Sequence, residues 1–201
     1  MGRPPKFDAD QILDAAAALV AEGGPSALSV SGVAERLAAP TGSIYHRFRS
    51  RDVLAASLWL RTVERFQHGF HAALHLEDPR AAVRAAATHV LAWSRENVAE
   101  AQLLLLYRSG DVIGHGWPPE LEQRNKQLRD RVERAVADLC RRLEATTRAD
   151  RRRVRFAMID IPYGAVRTPL ARGAAPEREL DPIVDDAVLA AIDGMTRRRT
   201  T

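Results

Sequence analysis

The sequence predicts an all-α protein of about nine helices, with a three-helix helix-turn-helix domain at the N-terminus and a larger helical domain behind it. Two observations support this fold class. Apolar residues recur three and four positions apart along the chain, as on one face of a helix, and no segment shows the two-residue alternation of a strand. Capping residues, glycines and prolines divide this pattern into separate helices. We expect residues 1–52 to form the first domain and residues 53–201 the second.

The first helix is predicted to begin after Asp8 and to end at Gly23. Asp8 is a capping residue, and Gln11, three positions later, completes a capping box. Gly23, Gly24 and Pro25 are expected to end the helix, because glycine adopts the left-handed exit conformation and proline cannot continue helical hydrogen bonding.

Residues 28–54 are predicted to contain two short helices joined by a tight turn. Ser29 is placed to cap the first of these two short helices, and the run from Ala38 to Pro40 ends that helix. The second helix is predicted from Thr41 to Phe48. Apolar residues at helical spacing define the inward face of the pair. These inward residues are Val30, Val33, Ala34, Leu37, Ile44 and Phe48.

The outward face of the second short helix is polar and cationic, which indicates DNA binding. Two short helices joined by a tight turn can place the second one in the major groove, with its first residues at base edges. Thr41, Gly42 and His46 are candidates for base contacts, and Tyr45, Arg47 and Arg51 for phosphate contacts. The full set of candidate DNA-binding residues is Ser29, Ser31, Thr41, Gly42, Ser43, Tyr45, His46, Arg47 and Arg51. The alternative is a helical hairpin that serves only the core.

The run T-G-S-I-Y-H-R-F, followed by S-R-D-V-L, resembles the recognition helix and the start of the fourth helix in the tetracycline-repressor (TetR) family. The resemblance covers roughly the first 60 residues. Two positions depart from the usual pattern: Ala38 stands where these proteins usually have glycine, and Arg51 where they usually have lysine. A left-handed alanine costs about 1 kcal/mol, and arginine keeps the charge needed for a phosphate contact.

Local start and stop signals divide the rest of the chain into helices. Ser50 is expected to cap the fourth helix, Asp78 with Pro79 to start the fifth, and Asn97 to cap the sixth, whose leucine run from Leu103 to Leu106 should be covered on both faces. A loop is predicted from Arg108 to Pro119, a seventh helix from Leu121 to about Thr147, an eighth from Asp150 to Leu170 with a kink at Pro162 and Gly164, and a last one opening at Asp181 and Pro182.

The resemblance implies a small-molecule effector bound among the middle helices and a homodimer formed through the last two helices, which pair with their twins as a four-helix bundle. The small residues Ala165, Ala187, Ala190 and Ala191 suit such close packing. An apolar ligand pocket and plain core packing are alternative interpretations of one set of side chains. The candidate pocket residues are Phe66, Phe70, His89, Trp93, Leu103, Leu106, Tyr107, Trp117, Met158 and Pro162.

Composition excludes several other classes of protein. The net charge of +4 and the pI near 9.8 permit nucleic-acid binding, and the lone Cys140, expected to be a buried structural thiol, leaves no disulfide framework. No apolar run approaches the roughly 20 residues of a membrane span, so we expect a cytoplasmic protein. His71 and His75 lie four positions apart without an obvious third ligand, so no metal and no cofactor are predicted. No nucleophile has a matched base, which argues against an enzyme.

These observations together predict a ligand-responsive transcriptional regulator. It is expected to act as a repressor that binds a near-palindromic operator of double-stranded DNA as a dimer and is released by a small-molecule effector. Two alternatives remain open: a helical interaction protein that has lost DNA binding, and a small-molecule carrier with a vestigial DNA-binding head.

Overall fold

The computed structural model describes residues 7–109 and 117–196, without the side chains of residues 106–109 and 195–196. The predicted loop from Arg108 to Pro119 therefore lies largely outside the described residues. Within them the chain is helical and contains no strand, which confirms the all-α prediction. The helices are α1 (Ala9–Gly23), α2 (Val30–Arg36), α3 (Thr41–Arg47), α4 (Arg51–Leu74), α5 (Pro79–Glu96), α6 (Val98–Ser109), α7 (Pro119–Arg142), α8 (Arg148–Arg155), α9 (Ile161–Ala171) and α10 (Leu180–Thr196).

The segment predicted as one long eighth helix contains a π-helical turn, Phe156–Asp160, that joins α8 directly to α9. Pro162 explains the position of this defect, because proline has no amide hydrogen to donate to the carbonyl four residues earlier. The interruption predicted at Pro162 thus takes the form of a π-helical turn. If α8, the π-helical turn and α9 are counted as one helix, the described residues form nine helices, as predicted.

The chain forms two compact units. The first comprises Met1–Val63 with Val98–Asn125, and the second comprises Glu64–Asn97 with Lys126–Thr201. Helices α4 and α7 each contribute residues to both units. The predicted boundary at residue 52 separates a DNA-binding domain from the rest of the chain by function. A division by compactness does not test it, so it stays a prediction.

In the first unit, α1 packs against α2 and α6, and α2 packs against α3. The predicted capping box at the start of α1 is present: the Gln11 amide donates to the Asp8 carboxylate at 2.8 Å, and the Asp8 amide donates to the Gln11 side chain at 3.0 Å. α1 ends at Gly23, and Gly24 supplies the left-handed exit with a φ of 73°. The core of this unit includes Ile12, Ala16, Val33 and Ile44, each at most 1% exposed.

In the second unit, α5 packs against α9, α10 and the π-helical turn, and α10 packs against α8 and α9. Asp78 caps α5 as predicted, since its carboxylate accepts from the amides of Arg80 and Ala81. Arginines on α5 pair with aspartates on α10: Arg84 binds Asp185 through two hydrogen bonds of 2.7 and 2.6 Å. The inner face of α10 is formed by Val184, Val188 and Ile192, each at most 5% exposed.

The predicted cap at Asp181 is wrong, and Asn97 makes a contact that was not predicted. Asn97 stands directly before α6, as expected, and its Nδ2 donates to the Trp93 carbonyl at 2.9 Å at the end of α5. Asp181 does not open the last helix, which begins at Leu180, and its carboxylate accepts a 2.6 Å hydrogen bond from Arg95. Both side chains bind partners outside the helix that they were expected to cap. The partner of Asp181 lies 86 residues away, so the local sequence could not reveal it.

The predicted bounds of α7 and α8 also need correction. α7 ends at Arg142 rather than near Thr147, because Glu144 has a left-handed φ of 53° and reverses the chain. α8 then begins at Arg148, two residues before the predicted start, and Thr147 caps it. In α6, Leu104 and Leu105 are only half-buried, so the prediction that both faces of the leucine run are covered is wrong for these residues; the Leu106 side chain lies outside the described set.

Candidate nucleic-acid interface

The turn between α2 and α3 is closed by local hydrogen bonds. Ser29 caps α2 as predicted, because its hydroxyl accepts from the Gly32 amide at 3.0 Å. At the other end, the amides of Ala38 and Ala39 donate to the carbonyls of Glu35 and Ala34 at 3.0 and 2.9 Å. These two bonds form a Schellman motif, the helix ending in which glycine usually occupies the left-handed position. Ala38 occupies that position here, with a φ of 47°.

α3 is held by two apolar side chains and presents its other residues to solvent. Ile44 is fully buried and Phe48 is 6% exposed, as the apolar spacing predicted. Tyr45 is 49% exposed, which is high for so large an aromatic side chain. Of the predicted DNA-binding residues, Ser29 is half-buried and the others are exposed: Ser31, Thr41, Gly42, Ser43, Tyr45, His46, Arg47 and Arg51. The structure therefore places the predicted α3 residues on one exposed surface, called the α3 face below and defined by Thr41–Ser43 and Tyr45–Arg47.

Gly42 has no packing role among the residues that the structure describes. A Cβ atom built at this position meets nothing within 4 Å, and the backbone does not need a left-handed φ. Gly32 differs, since a Cβ there would lie 2.9 Å from the Ser29 hydroxyl and 3.1 Å from Leu19. Glycine at position 32 allows α2 to pack closely against its neighbours. Glycine at position 42 leaves the backbone of α3 open to close approach from outside the protein.

Two groups of arginines in the first unit differ in whether they pair with acidic side chains. Arg36 makes a bidentate ion pair with Glu22, with bonds of 2.8 and 2.7 Å, and Arg61 binds the Asp14 carboxylate at 2.8 Å. These contacts join α2 and α4 to α1. The Arg36 guanidinium, mainly through its hydrogen bond, also lowers the pKa of Glu22 below its ordinary value.

Arg47 and Arg49 form the second group. Both are exposed, and neither makes a hydrogen bond or an ion pair with any residue that the structure describes. Residues 37–51 contain three arginines and no acidic residue. Positive charge at the end of α3 is therefore not neutralised within the described part of the chain.

Arg51 makes a hydrogen bond that the sequence did not predict. Its Nε donates to the Leu28 carbonyl at 2.7 Å and so joins the start of α4 to the segment before α2. Lysine, which has a single terminal nitrogen, could not hold this carbonyl and present further donors in a planar fork. The terminal nitrogens of Arg51 make no hydrogen bond with a described residue, so the proposed phosphate contact is compatible with the Leu28 bond.

In the second unit, four of the predicted pocket residues form an aromatic cluster: Phe66, Phe70, His89 and Trp93. The Phe66 ring centroid lies 5.7 Å from that of Phe70 and 5.2 Å from those of His89 and Trp93. His89 Nε2 donates to the Phe66 carbonyl at 2.9 Å, and burial holds the pKa of His89 below its ordinary value. Gly69 makes this approach possible, because a Cβ there would lie 2.4 Å from the His89 ring.

The other predicted pocket residues are distributed between the two units. Met158 and Pro162 are buried in the second unit, and Leu103 is buried in the first. Trp117 also belongs to the first unit, where its ring centroid lies 6.0 Å from that of Trp59 in an edge-to-face arrangement. The side chains of Leu106 and Tyr107 lie outside the described set.

His71 on α4 is only 7% exposed. Its ring lies 6.3 Å from that of His75, but no group of three or more metal-ligating side chains occurs among the described residues. His115 lies outside them. Cys140 is buried as predicted, and burial raises the pKa of its thiol. No helix in the described ranges is long and apolar enough to cross a membrane.

Comparison with known proteins confirms the resemblance seen in the sequence. Residues 12–58 match the family model described as "Bacterial regulatory proteins, tetR family". No match was found among curated protein sequences. The chain as a whole is similar in structure to several solved regulators, since TM-scores of 0.65–0.70 show a shared fold at identities of only 17–22%.

Three of these structures illustrate the likeness. The TetR-family regulator PfmR from Thermus thermophilus is 22% identical, with 90% of this chain and 97% of that one covered and a TM-score of 0.65. A TetR regulator from Haloarcula marismortui is 18% identical, with 92% and 96% covered and a TM-score of 0.70. A transcriptional regulator from a Rhodococcus species is 17% identical, with 94% and 97% covered and a TM-score of 0.69.

Proposed function

We propose that this chain, whose residues 12–58 match the model of the tetR family of bacterial regulatory proteins, is a ligand-responsive repressor that binds a near-palindromic operator as a dimer. The α3 face is the observation that carries the DNA-binding part of the proposal. It combines exposed hydrogen-bonding groups, a glycine without a packing role and an arginine that no described residue neutralises. DNA offers a partner for each feature: base edges for the hydrogen-bonding groups, a closely approaching surface for the glycine, and phosphate charge for the arginine.

The proposed dimer forms through α9 and α10 together with the π-helical turn. Ile183 on α10 is 62% exposed and Phe156 in the π-helical turn is 52% exposed, the two highest values among the large apolar side chains of the described residues. Small residues beside them are also exposed, including Gly164 on α9 and Ala187 and Ala190 on α10. A second copy of the chain would cover these side chains. Two-fold symmetry would then place the recognition helices on half-sites about 34–36 Å apart.

The expected effector would act through linkage. A small molecule that binds one conformer of the dimer better than the other shifts the population by as much as its differential affinity. Release of DNA requires that the effector prefer the conformer that binds DNA poorly. The aromatic cluster around Phe66 supplies apolar surface of the kind that ligand sites use.

Tyr45→Ala tests the DNA-binding part of the proposal. The exposed phenol makes no described contact that the core needs, so the melting temperature and the dimer should be unchanged. Loss of a hydrogen bond to a charged phosphate should weaken operator binding by roughly ten- to a hundredfold. Electrophoretic retardation of operator DNA measures this change. Undiminished binding by the variant would contradict the role given to the α3 face.

Ile183→Glu tests the dimer separately. A charge in the centre of an apolar interface should shift the protein towards monomer in analytical ultracentrifugation, and the exposed position should keep the folded monomer stable. Thr88→Glu, which introduces the same charge at an exposed position on α5, is the comparison for a change of charge alone. An Ile183→Glu protein that dimerises like the parent would show that the interface lies elsewhere.

A further inference from the structure

Two buried polar atoms on α4 have no hydrogen-bond partner among the described residues. They are Oε1 of Gln67 and Nε2 of His71. Residues four apart on a helix lie one above the other, so both atoms belong to the same helical face, within the second unit. His71 is 7% exposed, which places its imidazole ring almost wholly inside the protein.

Such atoms are unusual because a buried polar group without a partner loses its hydrogen bonds to water and gains none in return. The other histidines nearby show the ordinary arrangement. His75 Nδ1 lies 2.7 Å from the His71 carbonyl, and His89 Nε2 lies 2.9 Å from the Phe66 carbonyl. Gln67 and His71 therefore differ from these histidines, and both place an unpartnered polar atom on one face of α4.

The chemistry of the pair selects the kind of group that can bind there. The Gln67 carbonyl oxygen only accepts hydrogen bonds, so its partner must donate. Burial, with smaller effects of the Arg131 and His75 charges, lowers the pKa of His71 and favours the neutral ring. With its proton on Nε2, neutral His71 donates. A hydroxyl group satisfies both atoms, since its hydrogen is donated to Gln67 and its oxygen accepts from His71.

A carboxylate fits less well, because it has no hydrogen to donate and would face the Gln67 oxygen with like charge. The adjacent side chains Phe66 and Phe70 stack at 5.7 Å, and Trp93 meets Phe66 edge-on at 5.2 Å. These rings favour an apolar, aromatic body beside the polar pair.

We propose that Gln67 and His71 recognise the hydroxyl group of an uncharged, largely aromatic effector. The proposal deepens the ligand-responsive function proposed above and rests on it for the identification of this ligand as the effector. A buried water could satisfy the same two atoms, so the test must separate a ligand hydroxyl from water.

The test uses the full-length protein without DNA and three probes of similar shape: naphthalene, 2-naphthol and 2-naphthoate. Isothermal titration calorimetry should show that 2-naphthol binds about tenfold or more tightly than naphthalene, as one or two added hydrogen bonds require, and that 2-naphthoate binds more weakly than 2-naphthol. Gln67→Met and His71→Leu should each abolish the preference for 2-naphthol and keep naphthalene binding. His68→Leu, an exposed histidine on the same helix, should leave the preference intact.

Thermal melting supplies the second measurement. Gln67→Met and His71→Leu replace an unsatisfied polar atom by an apolar one, so the ligand-free variants should melt at or above the temperature of the parent. If His71→Leu does not fold, Gln67→Met carries the test alone. Lower melting of Gln67→Met would show that a buried water already satisfies the pair and would overturn the proposal. Equal binding of 2-naphthol and naphthalene to the parent, or no 2-naphthol binding, would also overturn it.

Retardation of operator DNA distinguishes the two proposals. If the protein binds operator but does not distinguish 2-naphthol from naphthalene, only the hydroxyl site is wrong. If it prefers 2-naphthol but binds no operator, the hydroxyl site stands and the regulatory function fails.

Discussion

Ala38→Gly should stabilise the protein, because alanine occupies a left-handed position that glycine adopts without strain. The φ of Ala38 is 47°, and both hydrogen bonds of the Schellman motif are present around it. A left-handed alanine costs about 1–2 kcal/mol. Glycine also gives the unfolded chain more conformational freedom, which lowers the free energy of unfolding by about 0.4–1 kcal/mol. Since Ala38 is exposed, removal of its methyl group costs little packing. The net gain is therefore about 0.5–1 kcal/mol.

Thermal melting by circular dichroism should detect this gain as an increase of about 1–4 °C for a chain of this size. Gly173 occupies the corresponding position after α9, with a φ of 75°. Gly173→Ala is the matched control and should lower the melting temperature.

DNA binding supplies the second measurement on the same variant. Because Ala38 already has the conformation that glycine would take, the orientation of α3 should not change, and Ala38→Gly should bind operator as the parent does. An unchanged or lower melting temperature for Ala38→Gly, with Gly173→Ala destabilised as expected, would refute the strain assigned to Ala38. A large change in DNA affinity would refute the claim that the turn has the geometry of a glycine turn.

Three further predictions follow from the contacts of single side chains. Arg47→Gln should reduce the slope of log affinity against log salt concentration by about 1, whereas Arg36→Gln, which removes a residue paired with Glu22, should leave the slope unchanged. Gly42→Ala should melt no lower than the parent, since the new methyl group meets no atom within 4 Å, yet should weaken operator binding; equal binding would show that DNA does not approach this position closely. Burial lowers the pKa of His71, so the unfolded chain binds more protons below about pH 6.5 and stability falls as the pH decreases through that range. Urea denaturation at about pH 7.5 and about pH 5.5 should show a smaller loss for His71→Leu than for the parent; an equal loss would assign the acid sensitivity to other groups.

Signals between residues close in sequence predicted the helices and the orientation of α3 well. The Asp8 and Gln11 capping box, the Ser29 cap and the Ile44 and Phe48 spacing all depend on residues within four positions of each other. The left-handed conformation of Ala38 was indicated by the family resemblance instead, because Ala38 stands where TetR-family proteins usually have glycine. The exposed α3 face follows from these local signals, since burial of one helical face determines the opposite one.

Contacts between distant residues could not be predicted in this way. Nothing in the sequence indicates that Arg51 binds the Leu28 carbonyl or that Arg61 reaches Asp14, 47 residues earlier. The sequence also does not distinguish the paired Arg36 from the unpaired Arg47. The sequence also does not indicate that His71 is buried, because a histidine four residues from another on a helix does not reveal which helical face is covered. These properties depend on how the helices pack.

Selection of bound sequences from random duplex DNA tests the central claim, that the α3 face recognises DNA in a symmetric dimer. The parent protein should enrich a near-palindromic sequence whose half-sites lie about 34–36 Å apart, and Tyr45→Ala should enrich it weakly or not at all. Enrichment of no sequence by the parent, in a preparation shown to be folded and dimeric, would contradict the claim. Together with tight binding of a small molecule, that result would favour a carrier with a vestigial head.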